Sequence, residues 1–206
     1  MPQGLSNIRN LSLKELQGEF VERNEKSFRA KQVYEWLWKK NAASFEEMTN
    51  LSKELREMLQ QHYFIDHIQL QDQQISKDKT IKCAFTIEEG KVVEGVLIPT
   101  KSRTTACISS QVGCSLSCTF CATGRLKLLR NLSAGEIVDQ VVYLKNQAEE
   151  RYGQNLTNIV YMGMGEPLLN LPNVIEALTL MANEMGLSWR HLTVSTVGVI
   201  PAIEKL

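Results

Sequence analysis

Three of the chain's five cysteines fall in one short run, Cys114-Ser-Leu-Ser-Cys118-Thr-Phe-Cys121. Thiolates spaced C-x3-C-x2-C on a compact loop can converge on a single iron–sulfur cube. Such a cube is normally held by four thiolates. Three ligands leave one iron open, and an open metal position marks chemistry rather than scaffolding. The competing reading is structural zinc, which takes four nitrogen or sulfur ligands, usually from paired C-x2-C knuckles. This sequence offers one knuckle, and His62, His67 and His191 lie far from it. Cys107 is available as a fourth ligand, so the count alone leaves zinc open. Disulfides fit poorly with an odd number of cysteines.

The cysteine run sits inside a repeating pattern. After Pro99 the sequence alternates strand, loop and helix. Residues 105–109 read as a strand leading into the cysteines. Ser133-Ala-Gly-Glu136 is a capping box opening a helix with Ile137, Val141, Leu144 and Ala148 on one face. Residues 158–162 form a strand ending in Gly163-Met-Gly165-Glu166-Pro167. Pro172 suits the first turn of a helix carrying Val174, Ala177, Leu178 and Met181. Residues 191–195 are a third strand, and a third helix begins at Pro201. Alternating βα units predict an α/β fold with a parallel sheet. In parallel βα barrels functional groups gather at the carboxyl ends of the strands. The cysteine run, the Gly165-Glu166 turn and Ser195 all follow strands, so one site is expected.

Upstream the period changes. Ile81, Cys83, Phe85 and Ile87 alternate with polar or small residues, residues 88–91 turn, and residues 92–98 return, which predicts a hairpin. Cys83 lies on the apolar phase and reads as a buried, inert thiol. Ser12-Leu-Lys-Glu15 caps a first helix with Leu13, Leu16 and Phe20 inward. A second helix is expected over residues 28–40, with Ala30, Val33, Tyr34 and Leu37 at helical spacing. Ser44-Phe-Glu-Glu47 is read as another capping box, ahead of a stripe of Leu51, Leu55, Met58 and Leu59. Trp36 and Trp38 cannot face the same core. The expected organisation is a helical accessory domain over 1–75, a hairpin connector over 76–99, and a βα half-barrel over 100–206.

The 23 basic and 23 acidic residues balance, which argues against nonspecific coating of nucleic acid. A local patch remains open: Arg125, Lys127 and Arg130 follow the cysteines, and Lys101 and Arg103 precede them. No apolar run approaches membrane-spanning length, and the opening residues lack the apolar core of a signal peptide. A cytoplasmic protein without a membrane partner is expected.

The neighbours of the cysteines narrow the reading. Cys107-Ile-Ser-Ser-Gln-Val-Gly-Cys114, the cysteine run with Ala122-Thr-Gly124, and Asn131-Leu132 with Gly135-Glu136-Ile137 resemble the radical S-adenosylmethionine (SAM) RNA adenine-C2 methyltransferases. Met162-Gly-Met-Gly165-Glu166-Pro167-Leu168 and Thr193-Val-Ser195-Thr-Val-Gly198 extend the likeness.

The resemblance implies a [4Fe–4S] cluster held by Cys114, Cys118 and Cys121, with SAM chelating the open iron. It implies cofactor contacts at Gly165, Glu166 and Ser195, and Phe120 beside the cluster. It implies methylation of adenine C2 in 23S rRNA and tRNA through a methyl-carrying cysteine in the family's C-terminal region. None of the five cysteines here takes that role. Cys107 matches the family's second cysteine, which resolves the RNA adduct by pairing with the carrier as a disulfide. Glu94 matches the glutamate that removes the C2 proton. The family places a six-unit partial barrel behind its accessory domain. Three units here suggest a piece of a longer chain, inactive alone. An external electron donor and a monomeric full-length protein are also implied. The relative that methylates adenine C8 shares the cysteine run, and Pro167 favours the C2 type.

Overall fold

A computed structural model describes residues 5–205 as two compact units, divided between His67 and Ile68. The first unit is helical. It runs β1 (Ser6–Asn7), α1 (Leu13–Glu22), α2 (Ser27–Trp38), α3 (Lys53–His62) and β2 (Tyr63–Phe64), with β1 and β2 pairing in parallel. The Ser12 capping box forms in both directions: the Ser12 hydroxyl accepts from the Glu15 amide, and the Glu15 carboxylate accepts from the Ser12 amide at 2.8 Å. Leu16, Phe20, Ala30, Val33, Leu37, Leu55 and Leu59 make the core. Trp38 is buried, whereas Trp36 lies nearer the surface and donates its indole N–H to Asn50 at 2.5 Å. Arg9 is buried too, its guanidinium 4.6 Å from the Trp38 ring centre.

The second capping box does not open a helix. Ala43 and Ser44 both donate to the Glu47 carboxylate within a turn, and α3 starts only after Ser52, whose hydroxyl accepts from the Leu55 amide. A Ser-x-x-Glu pattern closes a local ring with or without a following turn of helix. Here Phe45 and Met48 are drawn into the core instead.

The second unit is built on one six-stranded sheet in the order β10-β9-β6-β5-β4-β3. Its strands are β3 (Gln69–Ile75), β4 (Ile81–Thr86), β5 (Val92–Pro99), β6 (Thr104–Cys107), β9 (Asn158–Tyr161) and β10 (Leu192–Val194). A two-stranded pair, β7 (Gln111–Val112) and β8 (Arg130–Asn131), flanks the cysteine loop. Helices α4 (Ala134–Tyr152), α5 (Leu171–Asn183) and the short α6 (Ile200–Ile203) follow β6, β9 and β10. Strands β6, β9 and β10 are parallel, as the βα pattern requires, while β3, β4 and β5 are antiparallel.

The sheet is therefore mixed, and the hairpin is not a separate connector. β5 pairs directly with β6, placing Val96 opposite Cys107. β3 also joins this sheet, although the sequence reading placed residues 69–75 in the helical region. Six of its seven residues are exposed and one is intermediate. A strand with no buried face carries no period-two apolar signal. The predicted capping box at Ser133 forms, and α4 ends at Gly153 in the left-handed conformation (φ 60°). Gly95 lets α4 come close: a Cβ there would lie 2.9 Å from the Phe85 ring and 3.4 Å from Leu144.

Candidate active site

Residues that pair across a sheet share a face, and alternate residues along a strand point the same way. Cys107 pairs with Val96 on one side and Val160 on the other, and Val160 pairs with Thr193. Glu94 stands two residues from Val96 along β5. Glu94, Val96, Cys107, Val160 and Thr193 thus line the face opposite that of buried Val93, Leu97, Ala106 and Ile159. Ser195 follows the last paired residue of β10.

The loops at the carboxyl ends of β6, β9 and β10 are tied by buried polar groups. Ser109, fully buried, donates its hydroxyl to the Glu94 carbonyl at 2.6 Å and accepts from the Met164 amide at 2.9 Å. Gln140, on α4, accepts from the Ser109 amide at 2.8 Å and donates to the Ser109 carbonyl at 3.1 Å. Gln111 accepts from the Glu166 amide at 2.8 Å and donates to the Asn131 side chain at 2.7 Å. Asn170 donates to the carbonyls of Ser110 and Leu132, each at 2.8 Å.

The turn after β9 needs its glycines. Gly165 has φ +94°, and a Cβ there would lie 2.5 Å from the Gln111 Cβ. A Cβ on Gly163 would fall 2.7 Å from the Ile108 carbonyl oxygen. Glu166 is buried, and both of its oxygens are engaged. Oε1 accepts from the Leu168 amide at 3.0 Å and the Thr196 hydroxyl at 2.6 Å, and Oε2 accepts from the Val197 amide at 3.0 Å. The resemblance implied a cofactor contact at Glu166. In the structure its carboxylate ties the loop after β10 to the loop after β9.

Cys114, Cys118 and Cys121 line one cavity of about 130 Å³ together with Phe120, Gly163, Gly165, Glu166 and Val197. The loop is folded tightly enough that a Cβ on Gly124 would lie 2.8 Å from the Cys118 carbonyl oxygen. Among the described residues, no three His, Cys, Asp or Glu side chains already stand close enough to hold a metal ion. The donor set and the shared cavity fit an iron–sulfur cluster. Phe120 borders this cavity and is 90% exposed.

Burial pushes the Cys107 thiol above its ordinary range, partly offset by a backbone hydrogen bond at Met162. Cys83 is fully buried and raised for the same reason. Glu94 makes an ion pair with Lys82, Nζ to Oε1, at 2.7 Å.

The basic patch divides. Lys101 and Arg103 precede β6, while the cysteines follow it. A four-residue strand at about 3.3 Å per residue puts about 10 Å between its first and last residues. Those two cations are not at the rim of this site. Arg130 is held by Glu136 through two bonds of 2.8 and 2.6 Å, leaving Arg125 and Lys127 exposed beside the cysteines.

Sequence reasoning missed Ser109, Gln111, Gln140 and Asn170 as site-building groups. Gln140 was the most legible of them, because it sits among Ile137, Val141 and Leu144 on the buried side of α4. A polar side chain there needs a buried partner.

A βα sheet with three thiols after its first parallel strand and a Gly-Met-Gly-Glu turn after its second defines a radical SAM protein. Residues 108–206 match the Radical SAM superfamily, and residues 6–65 match the Ribosomal RNA large subunit methyltransferase N-terminal domain. Over nearly its whole length the chain is similar to proteins named RlmN. It is 54% identical over 201 residues to a "Probable dual-specificity RNA methyltransferase RlmN" of Cytophaga hutchinsonii, covering 97% of this chain and 55% of that protein. It is 45% identical over 201 residues to the "Dual-specificity RNA methyltransferase RlmN" of Geotalea uraniireducens, covering 97% of this chain and 57% of that one. A crystal structure of a radical SAM methyltransferase from Sphaerobacter thermophilus superposes with a TM-score of 0.84 at 37% identity, over 97% of this chain and 59% of that one. The chain thus spans somewhat more than half the length of these relatives. The superfamily's cofactors are a [4Fe–4S] cluster and SAM, so zinc is set aside. No helix among the described residues is long and apolar enough to cross a membrane.

Proposed function

We propose that this chain is the cluster- and cofactor-binding portion of an RNA methyltransferase that methylates C2 of an adenosine in 23S rRNA and in tRNA. The observation that carries the reading is the shared cavity of Cys114, Cys118, Cys121, Gly165 and Glu166, in a chain half-identical to proteins named dual-specificity RNA methyltransferases.

Cys114, Cys118 and Cys121 hold the cluster, and Gly165, Glu166 and Ser195 border the cofactor. Bound together, these groups supply the radical and the methyl group that an electron-poor ring carbon requires. Gly163 and Gly165 keep side chains out of the cavity wall, and the Glu166 ties fix the two loops around it. Glu94 accepts the proton that leaves C2. Cys107 attacks the sulfur of the methyl-carrying cysteine: the S–S bond forms as that sulfur's bond to the RNA-borne carbon breaks, and the electron pair and a proton go to the carbon, which leaves as the methyl group on the freed RNA. The carrier belongs to the part of the relatives that this chain does not span, so turnover needs the longer protein. Exposed Arg125 and Lys127 meet RNA phosphates. The reductant is an external one-electron donor, the protein acts in the cytoplasm, and the full-length form is a monomer.

The test is methylation of short rRNA and tRNA fragments by the full-length protein under anaerobic reducing conditions, followed by nuclease digestion and mass spectrometry. 2-Methyladenosine in both RNAs is expected. 8-Methyladenosine instead, or no methylation by a protein with a full iron–sulfide complement, overturns the assignment.

A further inference from the structure

The Lys82–Glu94 pair lies on the sheet face opposite the core. Lys82 on β4 pairs in register with Val96, and Ala84 pairs with Glu94. Lys82 and Glu94 therefore sit diagonally on the face that also carries Cys107. The opposite face, with Ile81, Cys83, Phe85, Val93 and Leu97, makes the core. Both side chains of the pair are about half exposed, at 50% and 46%, so the pair adds little to stability.

We infer that Lys82 is a positioning residue that holds the Glu94 carboxylate in place for proton removal. This rests on the reading of Glu94 as the base. Two physical costs explain why such a base needs a cation. An RNA strand laid on this face brings a dense array of negative charge, which repels a lone carboxylate. Covering the face also removes water from it, and desolvation disfavours the charged form. An ammonium 2.7 Å away makes the pair neutral overall and restricts the rotamers of the glutamate. Lys82 need not touch the reacting atoms; its effect passes through Glu94.

A double-mutant cycle in the full-length protein separates this role from a direct RNA contact. Glu94→Gln is expected to lower the rate of RNA methylation by about a hundredfold or more, the usual contribution of a positioned base. Lys82→Met should lower kcat by about tenfold with KM for RNA little changed, and Lys82→Arg should recover most of it, since both cations pair with a carboxylate. SAM cleavage to 5′-deoxyadenosine, measured in parallel, should continue in Lys82→Met, so methylated product per cofactor cleaved falls. In the Glu94→Gln background, Lys82→Met should have no further effect.

Full activity of Glu94→Gln overturns the reading of the base itself. An inactive Glu94→Gln with an unaffected Lys82→Met overturns the inference alone. A Lys82→Met defect that persists in the Glu94→Gln background, or that falls entirely on KM, shows an independent RNA contact and also overturns it. Circular dichroism of each variant guards against misfolding, and Lys82→Gln serves as a second neutral substitution.

Discussion

The Gln140 carboxamide pairs with both backbone groups of Ser109, accepting its N–H at 2.8 Å and donating to its C=O at 3.1 Å. Both residues are fully buried. A helix side chain thus does for Ser109 what a neighbouring strand would otherwise do, at the point where β6 leaves the sheet. Replacing Gln140 with Leu strands two buried backbone groups, each worth about 1–3 kcal/mol when unpaired. A loss of that size in unfolding free energy, read from denaturant titration, is expected, with faster amide exchange at Ser109. Unchanged stability would mean that the two groups find other partners.

Gly165 tests the turn after β9. With φ +94° and the Gln111 Cβ 2.5 Å from where a Cβ would stand, Gly165→Ala is both strained and overpacked. Overpacking alone costs about 1–3 kcal/mol. SAM binding by calorimetry should weaken more than iron loading does if, as proposed, the turn borders the cofactor and the cysteines supply the metal ligands. Equal weakening of both would point to a general collapse of the loops.

Glu166→Gln replaces one acceptor oxygen with a donor where three donors converge. The amide group must face at least one of them. Hydrogen exchange should rise over residues 196–198, with the core strands unaffected. If those residues remain as protected as before, the tie between the two loops is dispensable.

Each of Cys114, Cys118 and Cys121 is expected to be necessary for the cluster. After anaerobic reconstitution, single Ala substitutions should leave far less iron and sulfide bound and remove the broad visible absorption. Cys83→Ala and Cys107→Ala should keep both. Retention of a full cluster in any of the first three would reassign the ligands.

Tyr63 provides a pH readout in the helical unit. Burial and the hydrogen bond it donates to Glu19 at 2.9 Å push its hydroxyl up to about 12. An unfolded tyrosine ionises near pH 10, so the folded state holds its proton longer. The associated stability is present below about pH 10 and is lost as the pH rises towards 12. The ultraviolet titration of Tyr63, isolated by difference from Tyr63→Phe, should show this late step. Ionisation at the ordinary pH would mean that the hydroxyl is solvated.

The local grammar of the chain was largely readable. Ser12 and Ser133 are capping boxes by sequence and by hydrogen bond, because everything such a motif needs lies within four residues. Alternation fixed β4 and β5, because one face of each is buried. β3 was invisible for the converse reason, being an edge strand of mostly glutamine and other exposed residues. At the site, the cysteine run and the Gly165-Glu166 turn could be read directly. The groups that hold them together are ordinary serines, glutamines and asparagines whose partners lie 15 to 60 residues away. No local pattern encodes that distance. Lys101 and Arg103 show the reverse error: close in sequence to Cys107, they lie at the other end of its strand.

Ser109 is the point at which three separate stretches of chain meet. Its hydroxyl joins the Glu94 carbonyl on β5 to the Met164 amide in the turn after β9, and Gln140 of α4 holds its backbone. Removing that one hydroxyl should therefore loosen β5 and the glycine turn together rather than either alone.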